Sequence, residues 1–393
     1  MEQKQSASRF DWTLAFILLL FFIISCLAIA SAQITSPYHT NFVLRQVVWY
    51  VVGFGIICSA MLFDPDQYKR LSWILYIFGV LSLALLHVAP DSIAETRNGA
   101  KSWFTFEHIG SIQPSEFMKT FLILAVSRLI MKHHERYPEK TWQTDMILLV
   151  KIGVTVLIPL GFIMMQPDLG TSMVIVAITS GLLLVSGITW KILLPLFMTA
   201  SLFVGCVIFI ALYAPHLLEK YLDSYQIARI YSWLNPYDYQ QLEGFNLVRS
   251  LTAIGSGEIV GKGFKEREVY VPENHTDFIF SVIGEEYGFI GGSLVICLYF
   301  FLIYHMTRIA LDTNDPFNSY VCAGIICMTT FHVFQNIGMT IQVLPITGIP
   351  LPFISYGGSS LMGNMLAMGI IFSIRYYHHS YLFASEENRV LSI

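Results

Sequence analysis

The chain has 393 residues, of which 55% are hydrophobic and only 13% are charged. A soluble protein carries about 25% charged residues, so too few charges remain here to cover a water-facing surface. The formal net charge of -4 shows no excess of basic residues of the kind that binds nucleic acid. The composition also excludes collagen, a coiled coil and a disordered chain. These numbers predict an integral membrane protein.

The apolar residues are grouped in blocks of about 18 to 25, each long enough to cross roughly 30 Å of hydrocarbon. We predict an all-α polytopic membrane protein, a single domain over residues 1–393, with ten transmembrane helices and a large external loop between helices 7 and 8. The first block is too long for a signal peptide and no cleavage site ends it, so it is expected to be retained. The spans are predicted near residues 11–32, 45–63, 71–89, 114–131, 147–165, 170–188, 192–214, 278–307, 319–342 and 354–374.

Lys and Arg residues set the orientation of such spans, because cytoplasmic connections are enriched in them. Five of these cations are grouped in one stretch, from Arg128 to Lys151, which we place on the cytoplasmic side. Both termini are then expected in the cytoplasm, with residues 90–113 and 215–277 on the outer face.

The loop over residues 215–277 is much longer than an ordinary connection, and it is rich in Tyr and Trp. Such aromatic residues favour the headgroup level of a bilayer. We therefore expect an interfacial helix over residues 216–234. The sequence leaves open whether this helix only anchors the fold.

The motif QPSEFMK at residues 113–119 puts charges into an apolar block. Pro114 can open a helix, on which Glu116 and Lys119 share one face at spacing i, i+3. An ionisable residue within a span costs about 2.5 to 3.5 kcal/mol on insertion scales, so it usually faces a partner or a cavity. Two interpretations stay open: a structural ion pair, or a Lys119 that points at an anionic ligand.

Two further motifs place carboxylates in or beside apolar blocks. In QPDLGTS, at 166–172, Asp168 stands at the junction of two spans, where it can cap the next helix or face a cavity. In GEEYG, at 284–288, Glu285 and Glu286 are adjacent and cannot face the same direction. At least one of them is expected to face protein or water.

A glycine-rich block, AIGSGEIVGKGF at 253–264, precedes these glutamates. Its backbone N–H groups could approach a phosphate, with Lys262, Lys265 and Arg267 alongside. Glycines in a loop are as readily plain turns, and no Walker spacing is present.

The sequence contains no clear metal-binding pattern. His275 and Asp277 are two residues apart, but no third ligand is evident. The six cysteines all lie within apolar blocks without paired loop spacing, which favours neither disulfides nor zinc. A metal held by protein groups alone is not predicted.

Asp277 stands where a polar loop enters an apolar block, and partial burial there would make its carboxylate a stronger base. Another segment, LPITGIPLPFISYGGSS at 344–360, holds three prolines and three glycines. Broken backbone at membrane depth is tolerated only against protein or a water-filled cavity. This segment is therefore expected to face either protein or a water-filled cavity.

In order and in topology, RNGAKSW, QPSEFMK, QPDLGTS, AIGSGEIVGKGF, PENHTDFIFSVIGEEYG and LPITGIPLPFISYGGSS resemble the SEDS family (shape, elongation, division and sporulation). The resemblance covers nearly all ten spans. It implies a glycosyltransferase that polymerises lipid II into peptidoglycan on the outer face of a bacterial cytoplasmic membrane, for elongation and rod shape. The implied partners are a class B penicillin-binding protein, which is a transpeptidase, and other membrane proteins of the elongation complex.

The resemblance carries the family's essential acidic residue onto Asp277, the predicted catalytic base. The reaction also requires a counter-charge for a lipid diphosphate, to which a divalent cation could contribute. The predicted substrate-binding residues are Arg97, Lys101, Trp103, Glu116, Lys119, Asp168, Lys262 and His275. The chain departs from the family pattern at Phe245, Asn246, Arg249 and Glu258, so no role is assigned to those side chains.

Two other functions remain open at this point. A lipid II flippase would also use broken helices and intramembrane charges, and a scaffold would recruit wall enzymes without catalysis. Catalysis predicts functional groups gathered on one face, whereas flipping requires polar groups along the whole path. The motifs gather on one face, which favours the enzyme.

Overall fold

The computed structural model describes residues 10–35, 40–90, 93–94, 101–106, 110–214, 224–239 and 243–390. These parts of the chain are almost entirely helical. Their twelve α-helices are α1 Trp12–Ala32, α2 Phe42–Met61, α3 Pro65–Val88, α4 Pro114–Arg136, α5 Trp142–Met164, α6 Leu169–Val185, α7 Trp190–Tyr213, α8 Ser224–Leu234, α9 Glu243–Ser256, α10 Ile279–Asp312, α11 Pro316–Thr340 and α12 Gly358–Val390. A 3-10 turn, Gln33–Thr35, follows α1.

One antiparallel hairpin interrupts the helices before α4. Its strands are β1 Phe104–Phe106 and β2 Gly110–Ile112. The all-α prediction missed it because strands of three residues are too short to show alternating periodicity.

Each of the ten predicted spans overlaps one helix. Seven helices, α1, α2, α3, α5, α7, α10 and α11, are long and apolar enough to cross a membrane by length and composition. Of the others, α6 has 17 residues, fewer than the roughly 20 of an ordinary span. The count of ten spans stays a prediction.

Capping residues explain why several helices begin earlier than the apolar blocks. Asp64 accepts a hydrogen bond from the backbone N–H of Gln67, whose side chain bonds back to Asp64, so α3 begins at Pro65 rather than near 71. The side chain of Asn41 caps α2 by accepting a hydrogen bond from the backbone N–H of Leu44. These caps start both helices a few residues before the predicted spans.

Helix α4 forms the centre of the bundle, although its sequence is among the more polar of the long helices. It packs against α3, α5, α6, α11 and α12, and most of its side chains are buried. Gly363 of α12 lets that helix approach closely, since a Cβ there would lie 2.9 Å from the carbonyl oxygen of Glu116. Helix α7 buries only Leu193 and Ala211 and lies at the periphery.

The α11–α12 connection, residues 341–357, is irregular backbone inside the bundle. Its carbonyl groups are satisfied by side chains from surrounding helices, as expected for non-helical backbone at membrane depth. In six hydrogen bonds the side chain of the first residue donates to the carbonyl of the second: Ser25 and Ile354 (2.8 Å), Gln46 and Ser355 (3.2 Å), Asn336 and Ile349 (2.8 Å), Gln335 and Pro345 (2.8 Å), Tyr50 and Phe353, and Tyr299 and Pro352.

The glycine-rich block packs directly on α10, where Gly288 (φ 59°, ψ -154°) breaks the helix into two parts. The backbone N–H groups of Lys262 and Gly263 donate to the carbonyls of Glu285 and Glu286, at 3.1 and 3.0 Å. A Cβ on Gly261 would overlap the carbonyl of Glu286. These glycines therefore permit close backbone packing.

Candidate functional site

The first part of the site is a small polar cavity, the Lys119 cavity, with a volume of about 190 Å³. Lys119 Nζ lies 2.9 Å from Glu116 Oε2 on the first turns of α4. The two residues are only 2% and 6% exposed, so the predicted i, i+3 pair exists as a buried ion pair. Trp103, Asp168 and Arg229 are also among the lining residues.

A third group completes the ion pair. His332 of α11 places Nε2 3.1 Å from Lys119 Nζ, while its Nδ1 lies 2.7 Å from the carbonyl oxygen of Met328. A carbonyl oxygen only accepts, so Nδ1 carries the ring proton and Nε2 accepts from the lysine. Lys119 therefore has two acceptors, of which one is charged.

Asp168 joins the two glutamine-proline motifs. It caps α6 by accepting from the N–H of Thr171 (2.9 Å), as one interpretation of the sequence predicted. Its other oxygen accepts from the side chain of Gln113 at 2.9 Å. Because Gln113 immediately precedes α4, this hydrogen bond fixes the start of α4 against the start of α6.

The second part of the site is the Asp277 cavity, with a volume of about 700 Å³. Asp277 is half-buried in its wall. The two cavities share Trp103, Gln113, Gly348, Pro350 and Ser360. They are neighbouring chambers of one site.

The backbone at Asp277 is held by two side-chain donors. Asn336 Nδ2 donates to the Asp277 carbonyl at 2.8 Å, and Ser355 Oγ donates to the neighbouring Thr276 carbonyl at 2.6 Å. Phe278, not Asp277, occupies the N-cap position of α10, and it makes no side-chain capping bond. Asp277 itself is one of the residues that line the cavity.

Two cations that were not among the predicted site residues also line the site. Arg45, at the start of α2, lines the Asp277 cavity and is exposed. Arg229 of α8 lines the Lys119 cavity and approaches the Thr347 carbonyl at 3.4 Å. The one signal that could have indicated Arg45 was its position at the start of an apolar block.

Helix α8 packs on the α11–α12 connection. Trp233 Nε1 donates to the Gln342 carbonyl, and the Gln342 side chain donates to the Trp233 carbonyl, both at 3.1 Å. This reciprocal pair fixes α8 against the α11–α12 connection, and so it positions Arg229.

The structure does not bring every predicted site residue to the two cavities. Lys101 Nζ donates to the Ala89 carbonyl at 2.5 Å. Lys262 Nζ pairs with Glu285 (3.0 Å) and Glu268 (2.9 Å). Burial opposes the charge of Lys262, but the bonds to these two carboxylates raise its pKa. Arg97 lies outside the described residues.

His275 is 8% exposed, and its ring stacks on Phe42 with 4.5 Å between ring centroids. Burial lowers the pKa of His275, against an opposing effect of Glu273, and so favours its neutral form. The His275 carbonyl accepts from the N–H of Tyr356 at 2.8 Å. The residue thereby ties the loop that carries Asp277 to the α11–α12 connection.

Both glutamates of GEEYG are buried, at 0% and 1% exposure. Glu285 Oε1 accepts from the N–H groups of Glu268 (2.9 Å) and Val269 (3.0 Å), and Oε2 lies 3.3 Å from Arg267 Nε. Burial lowers the pKa of the Arg267 guanidinium, opposed by Glu285. Both glutamates face protein, whereas at least one was expected to face protein or water, and they hold the glycine-rich block.

Comparison with known proteins defines the class of the chain. The family model described as "Cell cycle protein", for FtsW, RodA and SpoVE, matches residues 7–380. The chain belongs to this family, which is the SEDS family indicated by its motifs. It is a multi-pass membrane protein and a glycosyltransferase, and both predictions are confirmed at this level.

Particular relatives span nearly the whole chain. Stage V sporulation protein E of Bacillus subtilis (strain 168) is 33% identical over 377 residues, covering 93% of this chain and 97% of that protein. Peptidoglycan glycosyltransferase MrdB of Escherichia coli (strain K12) is 31% identical over 369 residues, covering 93% of each chain. A solved structure described as "Structural coordination of polymerization and crosslinking by a peptidoglycan synthase complex" has a TM-score of 0.76 at 26% identity, covering 93% of this chain and 97% of that one.

Proposed function

We propose that this protein polymerises lipid II into β-1,4-linked peptidoglycan strands on the outer face of the cytoplasmic membrane. The observation that carries the proposal is the position of Asp277, whose carboxylate lines a polar chamber beside the buried Lys119–Glu116 pair. Relatives named peptidoglycan glycosyltransferase support the choice of substrate.

In the proposed reaction, the 4-hydroxyl of an acceptor sugar attacks the anomeric carbon of the donor. Asp277 accepts the hydroxyl proton as the new glycosidic bond forms, and the bond to the lipid diphosphate breaks. A single displacement inverts an α-linked diphosphate to a β-linkage. One base is sufficient, and no second carboxylate is required as a nucleophile.

The leaving diphosphate requires a counter-charge, and Arg45 is best placed to supply it. Its guanidinium lines the same cavity as Asp277 and forms no ion pair with a described carboxylate. Lys119, by contrast, is already paired with Glu116 and His332, so we propose that it shapes the adjoining chamber and binds substrate through its remaining hydrogen-bonding capacity. Arg229 completes that chamber.

A divalent cation can serve as an additional counter-charge for the diphosphate. The described residues contain no group of three His, Cys, Asp or Glu that could hold a metal ion. Asp277 supplies a carboxylate to the larger cavity, and Mg²⁺ is commonly held by one or two carboxylates together with substrate phosphates and water. The cation would therefore arrive with the substrate.

We further propose a class B penicillin-binding protein as the partner that crosslinks the new strand, within a RodA-type complex for cell elongation. The structural relative described as part of a complex for polymerization and crosslinking supports such a partner. A test is whether the protein restores rod shape to cells depleted of their elongation polymerase. Restoration of division alone would contradict the elongation role.

The activity is tested with the purified protein, lipid II and its partner in detergent micelles, where no second membrane face exists. We expect glycan strands that a muramidase digests. A lipid II flippase or a scaffold would leave lipid II unpolymerised under these conditions, so absence of strands from folded protein would overturn the proposal.

A further inference from the structure

A second groove lies at the opposite end of α4 from the candidate site. Helix α4 has 23 residues, about 34 Å at 1.5 Å per residue, and its first turns form the Lys119 cavity. Its last turns, with parts of α3 and α5, enclose a groove of about 810 Å³ that we name the Lys151 groove. In the proposed topology, this groove lies at the cytoplasmic surface.

The lining of the Lys151 groove is divided between cations and apolar side chains. Lys132, Arg136 and Lys151 supply three positive charges, and Glu135 is the carboxylate among the lining residues. None of the three cations forms an ion pair with a carboxylate in the described part of the chain. The lining of the groove therefore carries a net positive charge.

Two of these cations lie close to the ring of Tyr137. Arg136 Cζ lies 5.8 Å and Lys151 Nζ 5.7 Å from the centroid of its ring. Since both lie beside one ring, their like charges repel each other, and an anion that contacts both would offset this repulsion. His133, 4% exposed, adds an Nδ1 that has no hydrogen-bond partner among the described residues.

Lys151 lies within an apolar helix rather than at its end. It is nine residues after Trp142, about 13 Å along α5, between Val150 and Val154, which are 58% and 54% exposed. In the proposed topology these exposed valines would face the bilayer, so a ligand of Lys151 would approach from the lipid side. A cation without a carboxylate partner at such a position is costly.

We infer that the Lys151 groove binds the phosphodiester headgroup of an anionic phospholipid, such as phosphatidylglycerol. The phosphate lies among Lys132, Arg136 and Lys151, with the buried ring of His133 as a further polar contact. The acyl chains lie along the apolar part of the groove, formed by Trp73, Leu129, Val150 and Val154. This apolar surface favours a lipid over free phosphate.

The test is native mass spectrometry of the full-length purified protein titrated with phosphatidylglycerol or with phosphatidylcholine of the same acyl chains. We expect tighter binding of phosphatidylglycerol. Since each cation near an anionic headgroup contributes about 1 kcal/mol, Lys151→Gln should weaken that binding about fivefold. The triple change of Lys132, Arg136 and Lys151 to Gln should weaken it about 100-fold.

Two variants serve as controls. Lys151→Arg keeps the charge and should bind within about twofold of the parent. Lys191→Gln removes an exposed cation near the start of α7, outside the groove, and should leave binding unchanged.

Equal binding of the two lipids would overturn the inference, and so would an equal loss in Lys191→Gln, which would indicate diffuse attraction. Displacement of phosphatidylglycerol by millimolar inorganic phosphate would show a free-anion site instead. Because the readout is lipid binding, failure of the proposed polymerase activity would not affect it.

Discussion

The carboxylate of Asp277 lies directly beside the backbone of Gly348. A Cβ on Gly348 would be 3.4 Å from Asp277 Oδ2, and Gly348 has a φ of +70° that favours glycine. One glycine thus provides both the turn in the α11–α12 connection and the space for the proposed base.

Gly348→Ala should lower polymerase activity more than it lowers stability. The left-handed conformation costs a non-glycine residue about 1 to 3 kcal/mol, and the new methyl group would contact the carboxylate. Activity and thermal midpoint measured on the same preparation separate the two effects. Gly255→Ala is a matched control, since a Cβ there meets nothing within 4 Å; a similar loss in both variants would contradict the expectation.

Asp277→Asn should reduce strand polymerisation by about 10² to 10⁴, because Asn retains the shape of Asp but cannot accept the proton. Folding and partner binding should persist. The comparison is Glu273→Gln, an exposed carboxylate of the same loop, which should remain active. Glycan synthesis by purified Asp277→Asn at close to the parental rate would eliminate Asp277 as the base.

Lys119→Met should destabilise the protein by about 3 to 5 kcal/mol, because it leaves the charge of Glu116 buried and unpaired. Adding Glu116→Gln should restore much of that stability without restoring activity, if the lysine contacts substrate. Lys69→Met provides the comparison, since its pair with Asp315 is more exposed and should contribute no more than about 1 kcal/mol. Full activity of the stable double variant would refute a role for the lysine.

The proposed orientation can be measured by labelling single cysteines in intact cells with an impermeant maleimide. In a background without the six native cysteines, Thr252→Cys should label, because α9 is placed on the outer face. Glu139→Cys, in the connection between α4 and α5, should be protected. Both positions are exposed, so the reverse pattern would invert the topology.

The sequence predicted those parts of the site that depend on local spacing. Pro114 opens α4, and i, i+3 spacing on that helix is sufficient to pair Glu116 with Lys119. The cap at Asp168 likewise depends on its own helix. Local geometry determines each of these features once the helix is recognised.

Contacts between distant segments could not be predicted in this way. His332 contacts Lys119 although the two are 213 residues apart in the chain. Lys262 forms an ion pair with Glu285, which lies outside the two cavities. Nothing in the periodicity of either segment identifies its partner. From the sequence alone, Arg45 could not be distinguished from an ordinary cation that flanks an apolar span. Its position in the cavity depends on the packing of α2 against α12.

The side-chain amide of Asn336 donates to the carbonyls of both Asp277 and Ile349, each at 2.8 Å. A single group on α11 therefore couples the backbone at the proposed base to Ile349, which lines the Lys119 cavity. Any displacement of α11 would therefore move a wall of each chamber together, because Asn336 is bonded to both.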